Sequence, residues 1–432
     1  MNAAAIGLVA LLALVFARVP IAVALAVVGF IGFSMLTDWQ PALALAAHTA
    51  KEGSLNFGLA VVPLFVLMGN FITRARLSEG LFNAAYAFLG HRRGGLALTT
   101  VAACGGFSAV CGSSLATAAT MAKVAMPSMR RYGYDDRLAT GSIAAGGTLG
   151  ILIPPSIMLL IYGIITDTHI GKLFAAGVIP GLIGIALYMA AVSYTTWRDP
   201  RQGPPGERST WPQRLRSLRE VWSIAFLFLL VMGGIYGGIF TPTEAAGIGA
   251  GLSFLFALSR GVLSWKVLYE ILVETARTSA ILFAVLIGAL MFSEFINYTG
   301  VHKGFVEWIN QLGVPGWIII LVLVLVYLVI GSVLESLSMI LLTVPLFFPI
   351  IVDLGYDPVW FGIVVVVAVE VGLITPPIGM NIFVLRSVIP DVSTATIFRG
   401  VTPFFFADVI RIVLLALVPA FSMWLPNLLF GS

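Results

Sequence analysis

The chain has 432 residues, of which 59% are hydrophobic and 10% charged, with a mean hydropathy of +1.03. An average soluble domain has about a quarter of its residues charged, so a soluble globular protein is excluded and a polytopic all-α membrane protein is expected. The net charge of +4 comes from arginines clustered between apolar runs, which excludes a nucleic-acid surface. Cys104 and Cys111 sit close together in an apolar segment, and His48, His91, His169 and His302 are scattered. No disulfide framework, transition-metal centre or cofactor is therefore expected.

Residues 3–17 and 20–36 read as two spans joined by a turn. No basic residue or small-residue cleavage pattern marks the first as a signal peptide, so it is expected to be retained. Residues 38–56 read as a polar connection, and 57–73 as a span carrying Asn70. Residues 74–93 mix charge with Leu77, Leu81, Phe82, Ala85 and Phe88 at helical spacing, as an interfacial helix would. Residues 94–129 are too long for one span and are cut at 107–114 by small hydroxyl residues, which predicts a re-entrant helical hairpin. Backbone exposed at such a tip is tolerated at membrane depth only where it lines a cavity. A broken span follows at 138–165, then a span at 173–194.

The Arg- and Pro-rich stretch 198–219 reads as a cytoplasmic linker that halves the chain. Spans are expected at 221–240 and 245–258, and a second interfacial helix at 265–277. A span at 279–296 follows, then a hairpin over 316–351 with its tip at 331–336. A second broken span at 359–385 and a last span at 404–425 complete the chain.

The halves repeat. Gly-Thr-Leu-Gly-Ile-Leu-Ile-Pro-Pro-Ser over 147–156 is answered 222 positions later by a second Pro-Pro element, Thr375-Pro-Pro-Ile-Gly-Met-Asn381. Gly133-Tyr-Asp135 recurs as Gly355-Tyr-Asp357 at the same separation, as do Pro127 and Pro349. Arg74, Arg76, Arg92, Arg93, Lys123, Arg130, Arg131 and Arg137 flank the first hairpin, whereas only Lys303 flanks the second. The positive-inside rule therefore predicts an inverted repeat with both termini outside.

A proline pair takes two N–H donors out of a helix and frees carbonyls one turn back. Inside a bilayer those carbonyls need another partner, and a cation is one. Sodium takes about five or six hard oxygen ligands, by analogy with other hard cations. Ser108, Cys111, Gly150, Ile153 and Pro155 are the candidates for one sodium site, and Gly331, Gly372, Thr375 and Ile378 for its counterpart. Half-helix N-termini aimed between the tips favour an anionic substrate. Ser113, Ser114, Thr117, Glu335, Ser336, Ser338 and Asn381 are its candidate contacts. The competing role for any of these hydroxyls is a bond back to its own helix.

Among the other intramembrane charges, Glu370 either serves the second ion site or pairs with a helix end. Glu294 occupies roughly the place of Asn70 and is expected to hold its span to the hairpin by a hydrogen bond. Asp408 and Arg411 read as a local ion pair, and Arg386 as a snorkelling side chain.

The motifs Cys111-Gly-Ser-Ser-Leu-Ala-Thr117, 147–156, Thr241-Pro-Thr-Glu-Ala-Ala246 and 375–381 together resemble the large membrane subunit of tripartite ATP-independent periplasmic (TRAP) transporters. The resemblance covers essentially the whole chain. It implies sodium-driven uptake of an organic acid anion, such as a dicarboxylate, sialic acid or sugar acid, across the bacterial inner membrane by an elevator movement. It also implies two partners, a small four-helix membrane subunit and a periplasmic substrate-binding protein, alongside membrane lipid. The family's sodium ligands fall on the positions above, with Cys111 where serine is common. The moving part is expected over 94–165 and 316–385, and the scaffold over 1–93, 166–315 with its linker at 196–219, and 386–432. A stand-alone sodium/carboxylate symporter of the same superfamily is the alternative. An intramembrane enzyme is disfavoured because no histidine in the apolar segments could activate Ser113 or Ser114.

Overall fold

The computed structural model describes every residue except 1, 56, 76, 302–303, 305–306, 308–314 and 432. Asn56, Arg76, His302 and Lys303, all used above, lie outside the described residues. The rest is helical, with no strand among the described residues. Among the described residues four helices are long and apolar enough to cross a membrane, or up to six if each of two bent pairs is one span.

The first half opens with α1 (Asn2–Phe16), α2 (Ile21–Leu36), α3 (Trp39–Leu55), α4 (Val61–Arg74) and α5 (Leu77–Leu89). Two helix pairs follow, α6 (Gly95–Cys111) with α7 (Ser114–Arg131), and α8 (Asp136–Thr148) with α9 (Ile157–Ile165), before the long α10 (Ile170–Arg198). The second half begins with α11 (Trp211–Glu220), α12 (Trp222–Tyr236), α13 (Pro242–Ser259) and α14 (Trp265–Thr299). It continues with α15 (Gly316–Gly331), α16 (Ser336–Asp353), α17 (Pro358–Gly372), α18 (Met380–Val388), α19 (Thr394–Leu417) and α20 (Ala420–Phe430).

The repeat holds at the level of helix boundaries: α16 starts and ends 222 positions after α7, and α17 starts 222 after α8. α8 and α17 form the centre. Every residue of α8 from Leu138 to Thr148 is buried, and so is every residue of α17 from Val359 to Gly372. A helix apolar and buried on all sides faces protein rather than lipid. The half-helices beyond the two breaks cross over: α9 packs on α16 and α17, while α18 packs on α7 and α8. α19 lies against α8 so closely that a Cβ on Gly141 would stand 2.2 Å from the Gly400 carbonyl oxygen.

Around this centre, α14 packs on α2, α3 and α4, with Arg74 paired to Glu270 at 3.3 Å and Glu274 at 3.5 Å. Outward-facing side chains there are large and apolar, among them Ile6, Val9, Val23, Ile31 and Ile281, as lipid contact requires.

Five expectations need correction. Within the connection expected over 38–56, residues 39–55 form the helix α3: its Ala- and Leu-containing run favours helix, and a Cβ on Gly53 would touch Ile287 of α14 at 2.6 Å. The separate interfacial helix at 265–277 and the span at 279–296 are one 35-residue helix, because no proline or capping glycine stands between them. The linker's end is helical, since Thr210 and Gln213 form a capping box that starts α11. The first hairpin turns over Gly112 and Ser113 alone, with Gly112 in the left-handed region at φ +64°. The last span, expected at 404–425, is Thr394–Leu417, and Pro419 separates it from α20.

The linker is also docked. Gly94 N–H donates to the Gly203 carbonyl (2.8 Å), Gly206 N–H to that of Gly90 (2.8 Å) and Asp135 N–H to that of Gln202 (3.1 Å). It thus joins the turn before α6 to the turn before α8.

Candidate ion and substrate site

Each hairpin tip meets the break of its own half. In the first, α8 gives way to a short 3₁₀ turn at Leu149–Ile151, and α9 restarts at Ile157 under a cap from Ser156, which accepts from Leu159 N–H. The Ser156 hydroxyl in turn donates to the Ile151 carbonyl. Gly150 lies under the tip: a Cβ there would stand 2.9 Å from the Ser113 carbonyl oxygen and 3.1 Å from the Thr117 hydroxyl. A Cβ on Gly112 would lie 3.3 Å from the Pro155 carbonyl oxygen. The structure therefore brings Gly150 and Pro155, expected at the sodium site, against Ser113 and Thr117, expected to face the substrate.

Pro154 and Pro155 are buried, and among the described residues no hydrogen bond reaches the carbonyls of Ile153, Pro154 or Pro155. Buried carbonyls without a donor are the feature a cation can satisfy. Ser108 is fully buried, and its hydroxyl donates to the Cys104 carbonyl at 2.5 Å. The bond back to its own helix is thus made, yet the oxygen keeps lone pairs for a cation. The Cys111 thiol approaches Thr117 and Thr73. Among the described residues no bond of ordinary geometry reaches the Thr117 hydroxyl, which is wholly buried.

In the second half, Gly372 abuts Gly331 so tightly that a Cβ on either would lie within 3.2 Å of the other's backbone. The Ser332 carbonyl accepts from Ile378 N–H (3.3 Å) and Gly379 N–H (3.2 Å), and the Leu373 carbonyl from Asn381 N–H (3.1 Å). Thr375 repeats the Ser108 arrangement, donating to the Val371 carbonyl at 2.6 Å. Here Gly331, Gly372, Thr375 and Ile378 meet, but Pro376 and Pro377 are exposed, unlike their counterparts.

The anion contacts divide into two groups. Ser113, Ser114 and Thr117 start α7, with the Ser113 hydroxyl accepting from Ala116 N–H at 3.4 Å. Asn381 joins them from the other half: α18 packs on α7 and α8, and Asn381 Nδ2 donates to the Ala144 carbonyl at 3.1 Å. Its Oδ1 is buried without a partner among the described residues. Glu335, Ser336 and Ser338 form a separate group at the start of α16, in which Ser338 donates to Glu335 at 3.4 Å. No hydrogen bond joins the two groups among the described residues.

Among the remaining charges, the local pair of Asp408 and Arg411 forms as expected, while Glu294 differs from expectation. Glu294 is exposed and makes no hydrogen bond among the described residues; Asn70 instead donates to Thr275 on α14 at 2.9 Å. Glu370 pairs with Arg411, which also meets Asp408 at 2.7 Å. Arg386 donates to the carbonyls of Pro390 and Val392. At the base of the first hairpin, a hydrogen bond from Arg137 holds the Asp135 carboxyl below the usual carboxylate range, and Arg130 does the same for Asp391.

The chain matches the family described as "Tripartite ATP-independent periplasmic transporter, DctM component" over residues 8–421. It is 37% identical over 378 residues to the C4-dicarboxylate TRAP transporter large permease protein DctM of Pseudomonas aeruginosa, covering 87% of this chain and 88% of that one. It is 34% identical over 339 residues to the isethionate TRAP transporter permease protein DctMQ of Oleidesulfovibrio alaskensis, covering 77% of this chain and 52% of that protein. Among solved structures, the YdaH transporter of Alcanivorax borkumensis shares the fold with a TM-score of 0.63 at 16% identity, over 90% of each chain. The chain belongs to the DctM-component family of TRAP transporters, and is a multi-pass membrane transport subunit rather than an enzyme.

Proposed function

We propose that the chain carries an organic acid anion into the bacterial cell, driven by sodium bound where each hairpin tip meets its break. The observation that carries this reading is the pair of tip-to-break contacts, Gly112–Ser113 on Gly150–Pro155 and Gly331–Ser332 on Gly372–Gly379. Unpartnered carbonyls at the first favour a hard cation. The dicarboxylate and isethionate named for the relatives are both small organic anions, and half-helix N-termini at Ser114, Ile157, Ser336 and Met380 suit such a charge.

On this reading the two halves are inverted and move as an elevator. The moving part is 94–165 with 316–385, and we add α10 and α19 to it because they pack on α8 and α17. Burial of the first Pro pair beside exposure of the second is what one end state of such a cycle would present. The partners are a small four-helix membrane subunit and a periplasmic binding protein. The DctMQ relative, only half of which is matched, supports the first.

The test is uptake by vesicles holding the chain with both partners, in sodium or in potassium buffer. Uptake at an unchanged rate in potassium would overturn the sodium assignment. Ser108→Ala and Thr375→Ala are each expected to raise the half-saturating sodium concentration by about tenfold or more, the scale on which perturbed metal shells respond. A fall in maximal rate with no change in sodium dependence would remove those hydroxyls from the site. The stand-alone symporter is the second reading, and uptake without the binding protein would favour it.

A further inference from the structure

The only fully buried charged side chains among the described residues form one cluster, which is not part of either tip-to-break contact. Arg411 on α19 is fully buried and pairs with two fully buried carboxylates, Asp408 on its own helix and Glu370 on α17. Tyr188 on α10, also fully buried, donates its hydroxyl proton to Asp408 Oδ2 at 2.6 Å. The same hydroxyl lies 3.0 Å from that of Thr148 on α8. Since the Tyr188 proton is committed to Asp408, Thr148 must be the donor across that contact, in competition with the Ala145 carbonyl 2.8 Å away.

The two ends of this chain of contacts are what matter. Thr148 stands two residues before Gly150, and Glu370 two residues before Gly372. One polar path, Thr148–Tyr188–Asp408–Arg411–Glu370, therefore runs from the last turn of α8 to the last turn of α17. The path is sterically fixed: a Cβ on Gly184 would stand 2.4 Å from Arg411 Nη1, and Tyr188 is held edge-on against Phe404 with ring centroids 5.5 Å apart. The guanidinium also lies over the Tyr188 ring at 5.8 Å.

Three charges in a membrane interior are costly for stability alone, because apolar residues of similar volume usually serve as well or better. What charged hydrogen bonds do supply is direction and distance. We propose that Tyr188, Asp408 and Arg411 are positioning residues which hold the two broken helices in one register, so that sodium at one break is energetically coupled to sodium at the other. The inference rests on the sodium reading above, since it concerns how the two sites communicate and not whether they exist.

Tyr188→Phe tests it with the least disturbance, since it removes one hydroxyl and keeps the ring on Phe404. The measurement is the thermal shift of the purified full-length chain against sodium chloride, with potassium chloride at equal ionic strength as control. The half-saturating sodium concentration is expected to rise about fivefold or more, the lower edge of ordinary coupling between sites. The titration should become less steep, with the full shift still reached at high sodium. Arg411→Lys, which keeps the charge but loses the planar fork that spans both carboxylates, is expected to raise the half-saturating concentration at least as much, and an unchanged value would count against the proposal. A Tyr188→Phe variant that melts lower without sodium, yet keeps the original half-saturation and steepness, would reduce the cluster to a structural brace and overturn the proposal. An unmodified chain with no sodium-specific shift would overturn the sodium reading and this inference together. A sodium shift indifferent to Tyr188 would overturn this inference alone.

Discussion

Gly150→Ala is expected to lower sodium affinity by about 10- to 100-fold, the range seen when groups around a bound metal are displaced. The added methyl would sit 2.9 Å from the Ser113 carbonyl oxygen, 3.0 Å from its carbon and 3.1 Å from the Thr117 hydroxyl. Two of these atoms are backbone, so no rotamer change relieves the contact, and the tip of the first hairpin has to move away from the break. Those displaced atoms neighbour the carbonyls proposed to hold the ion, so binding and geometry fail together. Overpacking of this kind costs about 1–3 kcal/mol of stability as well, which calls for a matched control. Gly251→Ala in α13 meets nothing within 4 Å, and in a helix interior alanine is the better residue. Sodium-dependent uptake and melting temperature measured on both variants check the claim. Normal sodium dependence in Gly150→Ala would mean that the first break lies outside the ion site.

The positions of the breaks were legible in the sequence because they rest on local chemistry. Pro154–Pro155 and Pro376–Pro377 cannot continue a helix, and the 222-residue register of Gly133-Tyr-Asp135 with Gly355-Tyr-Asp357 reappears in the starts of α8 and α17. The family was legible from four motifs spread across the chain. Boundaries drawn from polarity were less secure. Lys266, Glu270, Glu274 and Arg277 made 265–277 look separate from the apolar run after it, but polarity changes along a helix without ending it. The break of α14 would have needed a proline or a capping glycine. Residues 38–56 failed for the related reason that a polar stretch with helix-forming residues becomes a helix once a neighbour covers one face. Glu370 is a different case. Its partner Arg411 is 41 positions away, and sequence spacing carries no information about a contact made by packing α17 on α19. Arg411 and Asp408 were visible as a local pair, but Tyr188 gave no signal and Thr148 none beyond its place in the 147–156 motif, because a tyrosine and a threonine in apolar helices are ordinary residues there.

That buried cluster also carries the largest expected loss of stability. Arg411→Met removes the only cation beside Glu370 and Asp408 among the described residues, leaving two fully buried carboxylates without a counter-charge. Losing one member of a buried ion pair costs about 3–5 kcal/mol, a large fraction of the total stability of a typical protein. Arg411→Met alone is therefore expected to lower the melting temperature sharply and to reduce the yield of folded protein. Neutralising the whole cluster, with Glu370→Gln and Asp408→Asn added to Arg411→Met, removes the uncompensated charges and should restore most of that stability. Melting curves of the single and triple variants in the same detergent decide it, and equal losses in both would show that packing around Arg411 matters and its charge does not. The triple variant separates two roles that the single one confounds. It should be stable and yet bind sodium weakly and without coupling, because amides and a thioether can fill the space without fixing how far the end of α17 stands from the end of α8.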